Sequence, residues 1–181
     1  VKFHTNTENF HPFMRNSETL ARAWAIPGTP GLEHRIGGLE KDYATSTNSY
    51  APANHQRMTE VRAEKISGIA KEIPLQEVSY GPNKGPLAVV GWGSTFGAIE
   101  EAVHAAVKEG NDVAHIHVNH LSPMPRNLGK LLAGYKNVLV PEMNSGQLVK
   151  LLRSAYLLPA EGLNKVTGQP FKVCLLYTSD A

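Results

Sequence analysis

Between residues 87 and 157, short apolar runs alternate three times with amphipathic stretches, and no other feature of the chain restricts its fold as much. Leu87 to Val90 are four apolar residues in a row, followed by Gly91, Gly93 and Gly97. Ile99, Val103 and Val107 then recur every four residues, which predicts a helix over 98–109. Gly110 stands where a helix end favours a left-handed residue. A strand is expected over 113–118, a short helix over 127–132, a strand over 137–140 and a last helix over 145–157. That helix carries Leu148, Leu151, Leu152, Ala155 and Tyr156 on one face. Strands and helices alternating in this way pair in parallel through right-handed crossovers, so the expected class is α/β built from parallel βαβ units.

The first 53 residues read differently. Two prolines and four glycines lie in "AIPGTPGLEHRIGGLEKD", a density that no helix or strand pattern survives. Phe10, Phe13, Trp24, Ile26, Leu32, Ile36 and Leu39 recur through this region, whereas disordered linkers are poor in such residues. An ordered, irregular loop that packs against something is expected. Residues 54–73 then predict a helix, with Met58, Val61, Ile66, Ile69 and Ile73 near one face, Asn54 as a cap and Pro74 as a stop. "YGPNKGP" at residues 80–86 reads as a linker-like turn and sets a domain boundary near residues 74–86.

Composition narrows the function classes. A net charge of +2 with 19% charged residues marks neither a nucleic-acid nor a membrane-surface protein. No apolar run approaches the roughly 20 residues of a membrane helix. One cysteine offers no disulfide framework and fits a cytoplasmic protein. Val1 shows neither a start methionine nor a signal peptide around it, and "CLLYTSDA" at residues 174–181 resembles a translated sequencing adapter. A piece of a longer chain with a non-native tail is therefore expected, the alternative for residues 174–177 being a genuine short apolar strand.

Four constellations could carry chemistry. The turn after the first strand spaces its glycines G-x-G-x-x-x-G, which departs from the dinucleotide fingerprint, and Asp112 precedes the second strand instead of ending it. Gly91, Gly93, Ser94 and Thr95 remain weak candidates for an anion site, because turn amides there point off a helix N-terminus. In "HIHVNH", His115 and His117 share one strand face and His120 lies just beyond, a spacing that suits a transition metal. No acid or thiol accompanies them, so buried core or interface histidines are the expectation. Glu33, His34 and Arg35 sit between glycines on the long loop and suit acid–base work or carboxylate binding. In "PEMNSGQL", Glu142 starts a strand-to-helix turn that Asn144 or Ser145 would cap.

The order of "WAIPGTPGLEHRIGGLEKD", "NHQRMTEVRAEKI", "GWGSTFGAIEEAV", "HVNHLSPMP" and "VPEMNSGQLVKLLR" resembles the alpha subunits of 2-oxoacid:ferredoxin oxidoreductases, the 2-oxoglutarate type (2-oxoglutarate synthase) above all. The resemblance covers about residues 8–173. It implies that residues 1–74 end a domain binding the pyrimidine side of thiamine diphosphate, together with an interdomain loop and helix. Residues 75–173 would form a transketolase C-terminal-like α/β domain.

The implied reaction is oxidative decarboxylation of 2-oxoglutarate to succinyl-CoA with ferredoxin reduction. Its partners would be a beta subunit, ferredoxin and CoA, with neither nucleic acid nor membrane. Thiamine diphosphate, Mg and an iron–sulfur cluster belong to the whole complex. The family's Tyr-Pro-Ile-Thr-Pro loop does not occur here, so the chain is expected to hold no catalytic residue, no metal site and no cofactor of its own, and to be inactive alone. Glu33, His34 and Arg35 become candidates for a subunit or substrate-side contact. The rivals are a free-standing α/β module with an anion site at residues 91–95, and a metalloprotein using His115, His117 and His120.

Overall fold

In the computed structural model, which describes residues 3–177, the chain forms two compact units that part after Lys71. The first is irregular up to α1 (Pro52–Gly68), which continues as a 3-10 turn, Ile69–Lys71. Proline at the first helical position starts α1, since its missing N–H is one the helix would leave unbonded anyway. Asn54 is not the cap. It lies inside α1, where its Oδ1 accepts from the Tyr43 amide at 3.1 Å and its Nδ2 donates to the Lys41 carbonyl at 3.0 Å. Glu40 adds contacts to His55 (3.0 Å) and Arg62 (3.4 Å).

These bonds fasten the Lys41–Asn48 bridge to the helix, so an irregular segment is ordered by polar pairing more than by an apolar core. Met58 and Val61 are buried as expected, but Ile66 and Ile69 are exposed. The loop also departs from expectation. Leu32 is buried, whereas Trp24, Ile26, Ile36 and Leu39 are each more than half exposed.

The second unit is a four-stranded sheet of order β2-β1-β3-β4, all parallel. Its strands are β1 (Gly85–Gly91), β2 (Val113–His117), β3 (Tyr135–Glu142) and β4 (Glu161–Asn164). The crossover helices are α2 (Phe96–Lys108), α3 (Leu128–Leu132) and α4 (Gln147–Tyr156). The period-two alternation of the strands sorts side chains to two faces. Ala88, Val90, Ala114, Ile116, Val138 and Val140 meet Leu128, Leu132, Leu148 and Leu152 in the larger cluster. Val89 and Val113 meet Ile99 and Val103 of α2 on the other face. Helices on both faces make the sheet doubly wound, the expected α/β class.

Two segments depart from the sequence reading. The turn at residues 80–86 is no free linker, because the segment leading into it runs along β2. Ser79 N–H donates to the His115 carbonyl, and His115 N–H donates to that of Tyr80, each at 2.8 Å. These bonds cover the outer edge of β2, which would otherwise present unpaired backbone groups. Residues 173–177 form a helical turn, α5 (Val173–Tyr177), and not a strand. Leu176 packs on the Val89–Val103 cluster, where an apolar face borders a cleft of about 380 Å³. Residues 178–181 of the expected tail lie outside the described residues.

Candidate functional site

The sheet order places the glycine turn at a distinctive point. From β1 the chain crosses to β2 on one side and returns to β3 on the other, so β1 and β3 flank the switch point where doubly wound folds commonly bind ligands. A crevice of about 300 Å³ lies there, lined by Trp92, Gly93, Ser94, Thr95, Met143, Asn144 and Gln147. Gly91 and Gly93 serve the chain geometry in different ways. A Cβ on Gly91 would collide with Ile99 Cδ1 and lie 2.8 Å from Thr95 Oγ1, so its bare backbone lets α2 pack against β1. Gly93 has φ +57° with open space around it and is held to glycine by backbone conformation alone. Thr95 Oγ1 closes the turn, donating to the Trp92 carbonyl at 2.9 Å and accepting from its amide at 3.2 Å.

Gly91→Ala is expected to cost about 1–3 kcal/mol through overpacking. Gly93→Ala should cost about 1 kcal/mol from the left-handed backbone. Urea midpoints that rank the two the other way would refute this division of roles.

Behind the crevice lies a fully buried carboxylate, Glu142, at the end of β3. Its Oε1 accepts from Leu148 N–H (2.8 Å), Asn144 Nδ2 (3.1 Å) and Trp92 Nε1 (3.2 Å), and its Oε2 from Val149 N–H (3.1 Å). Asn144 Oδ1 accepts from the amides of Gly146 and Gln147. Glu142 and Asn144 therefore cap α4 between them, Ser145 takes no part in these bonds, and the helix starts after a left-handed Gly146. The position that a phosphate would take at the α4 amino end is filled by the protein's own carboxylate. A second anion in the crevice would approach that charge.

His115 and His117 point to the α2 face of the sheet, opposite Val89 and Gly91 in register. His115 is completely buried and His117 nearly so, and both rings lie against Phe96 (centroids 5.2 and 4.9 Å). Neither nitrogen of His115 nor Nδ1 of His117 has a hydrogen-bond partner. Burial, with His117 and then His104 adding positive charge nearby, pushes the His115 pKa down to about 4. Burial also lowers that of His117. His120 is exposed and shares a cleft of about 720 Å³ with His117. Among the described residues, no three of His, Cys, Asp or Glu stand close enough to hold a metal ion.

In the first unit, Glu33, His34 and Arg35 line one cleft of about 440 Å³ with His11, Lys41 and Asn48. His34 Nδ1–H donates to the Leu32 carbonyl at 2.8 Å, and its ring meets Phe10 edge-on at 5.3 Å. The three candidates are thus gathered at one surface.

Residues 86–173 match the family model for pyruvate:ferredoxin oxidoreductase core domain II. Over 164 residues, 91% of this chain, the sequence is 47% identical to the 2-oxoglutarate oxidoreductase subunit KorA of Mycobacterium tuberculosis, 25% of which is covered. The chain belongs to the 2-oxoacid:ferredoxin oxidoreductase alpha subunits. The alpha subunit of a 2-oxoacid:ferredoxin oxidoreductase from Saccharolobus solfataricus is 32% identical over 177 residues, 94% of this chain and 27% of that protein. A structure of the 2-oxoglutarate:ferredoxin oxidoreductase from Magnetococcus marinus, with 2-oxoglutarate, coenzyme A and succinyl-CoA bound, superposes with a TM-score of 0.87 at 27% identity. That match covers 97% of this chain and 31% of the other. The chain spans about a quarter of the length of these curated relatives.

For a member of this oxidoreductase family, the donor set is informative. An iron–sulfur cluster takes about four thiolates, and this chain has one cysteine, the exposed Cys174. Its residues do not fit that group. In the sequence Glu142 is legible at the start of the turn but not as the buried hub of the switch point, and Lys41 is not legible as a buried cation. The run from Val138 to Pro141 ending in a carboxylate was a readable signal for Glu142. Nothing local distinguished Lys41.

Proposed function

We propose that this chain is the C-terminal part of the alpha subunit of a thiamine-diphosphate-dependent 2-oxoacid:ferredoxin oxidoreductase. The whole enzyme converts 2-oxoglutarate and CoA to succinyl-CoA while reducing ferredoxin, in the cytoplasm. The 47% identity to the 2-oxoglutarate subunit over nearly the whole chain carries this reading. Residues 1–74 end the pyrimidine-binding domain and the transketolase C-terminal-like domain follows. Both supply domain and subunit contacts, while thiamine diphosphate, Mg and the iron–sulfur cluster are held elsewhere in the complex. Among the described residues, no helix is long and apolar enough to cross a membrane.

The long loop is the proposed contact with the beta subunit. Trp24, Ile26, Ile36 and Leu39 leave apolar area in water at about 25 cal/mol per Å², and a partner surface would recover it. Glu33, His34 and Arg35, exposed on the same loop, would face that junction. In the assembled enzyme, His34→Ala or Arg35→Ala is expected to lower activity or subunit association at least about tenfold. Melting of this chain alone should move by no more than about 0.5 kcal/mol. Wild-type turnover and assembly in both variants would overturn the contact. The function itself is tested by turnover of 2-oxoglutarate, CoA and an electron acceptor in the complete complex. Activity of this chain by itself would contradict the division of labour.

A further inference from the structure

Lys41 is a buried cation in the first unit. The residue is 5% exposed, and its ammonium donates to Asn48 Oδ1, a neutral acceptor. The Phe13 ring lies 6.0 Å from Nζ. Among the described residues both ion pairs are made by Glu40, so no carboxylate stands within ion-pair distance of Lys41. Burying an ammonium without a counter-charge is costly, and such groups are ordinarily paired or bound to a ligand.

The side chain lines the 440 Å³ cleft together with Arg35, His11 and Ser46. Ser46 Oγ accepts from the Phe13 amide at 3.1 Å, which leaves the hydroxyl proton free to be given. The hydroxyls of Thr45 and Thr47 are committed. Thr45 Oγ1 donates to Asp42 Oδ1, so Thr47 must donate to Thr45 in their 2.9 Å contact. The residues lining the cleft thus carry uncommitted donors, among them the remaining ammonium protons of Lys41, the Arg35 guanidinium and the Ser46 hydroxyl. Two fixed positive charges stand against one carboxylate in the lining, that of Glu33.

We infer that this cleft is an oxyanion subsite, in which Lys41 and Arg35 neutralise a phosphate or carboxylate group of a small ligand and Ser46 donates to it. Arg35 supplies the planar fork that matches either oxyanion, and Lys41 supplies a point charge. The subsite is complete within the first unit and does not depend on the function proposed above. A failure of the subunit contact would leave it standing, and the reverse also holds.

The test is an NMR titration of this chain with inorganic phosphate and, separately, with succinate, at fixed ionic strength set by chloride. Saturable shifts of the Lys41 and Ser46 amide signals are expected with at least one of the two. Binding should weaken about tenfold or more in Lys41→Met and in Arg35→Ala, and survive in Lys41→Arg. Saturation by phosphate alone assigns a phosphate-bearing ligand, and saturation by succinate alone assigns a carboxylate. Shifts that never saturate, or equal affinity in folded Lys41→Met and wild type, overturn the subsite. Should Lys41→Met fail to fold, unchanged affinity in Arg35→Ala, whose side chain is exposed, overturns it equally.

Discussion

Replacing Glu142 by Ala is expected to destabilise the α/β unit by about 3–5 kcal/mol, because it strands four donors around a buried site. Two are backbone amides of the first turn of α4, one is the Trp92 indole and one the Asn144 amide. Each unmet buried donor costs about 1–3 kcal/mol, less whatever water can recover. For a unit of this size the loss is a fall of at least about 10 °C in melting temperature. Glu142→Gln should fall between, since its carbonyl can take the three donors of Oε1 while its amide nitrogen turns on the Val149 N–H. Calorimetry of the three proteins gives the ranking. An Ala variant within about 1 kcal/mol of wild type would show that the carboxylate is not the hub of the switch point.

Acidification is expected to weaken the same unit well above the ordinary carboxylate range. In the fold His115 titrates at about 4, against 6.5 for the group in the open chain, with burial as the largest cause. Below pH 6.5 the unfolded state therefore binds a proton that the folded state refuses. Stability rises with pH in this window and is lost as pH falls from 6.5 towards 4. The difference amounts to about 3 kcal/mol for His115, at about 1.4 kcal/mol per pH unit, and His117 acts in the same direction. His115→Leu, which keeps an apolar side chain of similar size, should flatten much of the slope between pH 6.5 and 5. Glu40 and Asp42 have lowered pKa values, so their contributions fade from the ordinary carboxylate range downward and leave the window between pH 6.5 and 5 to the histidines. An unchanged slope in the variant would mean that His115 is protonated, or hydrated, in the folded protein.

The parallel α/β unit was legible because its signals are local. Apolar runs at 87–90 and 137–140, four-residue spacing in α2 and a left-handed Gly110 each reflect what a short segment does by itself. Strand β4 escaped notice because "EGLN" carries no apolar alternation. It is a strand only because β3 offers its edge, pairing Leu139 with Glu161 and Glu142 with Asn164. The turn at residues 80–86 has the composition of a linker. The preceding Ser79 and Tyr80 nonetheless find His115 across the sheet, since an open strand edge needs covering wherever cover is available.

The candidate site divides along the same line. The amino-acid order alone determined the fold class, the family resemblance, the turn that Gly91 and Gly93 allow, and the gathering of Glu33, His34 and Arg35 on one loop. Only the tertiary structure decided that β1 and β3 flank the switch point, that Glu142 fills the anion position there, and that Lys41 is buried without a carboxylate. The physical reason is range. Helix periodicity and turn conformation act over a few residues, whereas burial and charge pairing depend on which distant segments come to lie side by side. Trp92 and Glu142 are 50 positions apart in the chain and 3.2 Å apart in the fold.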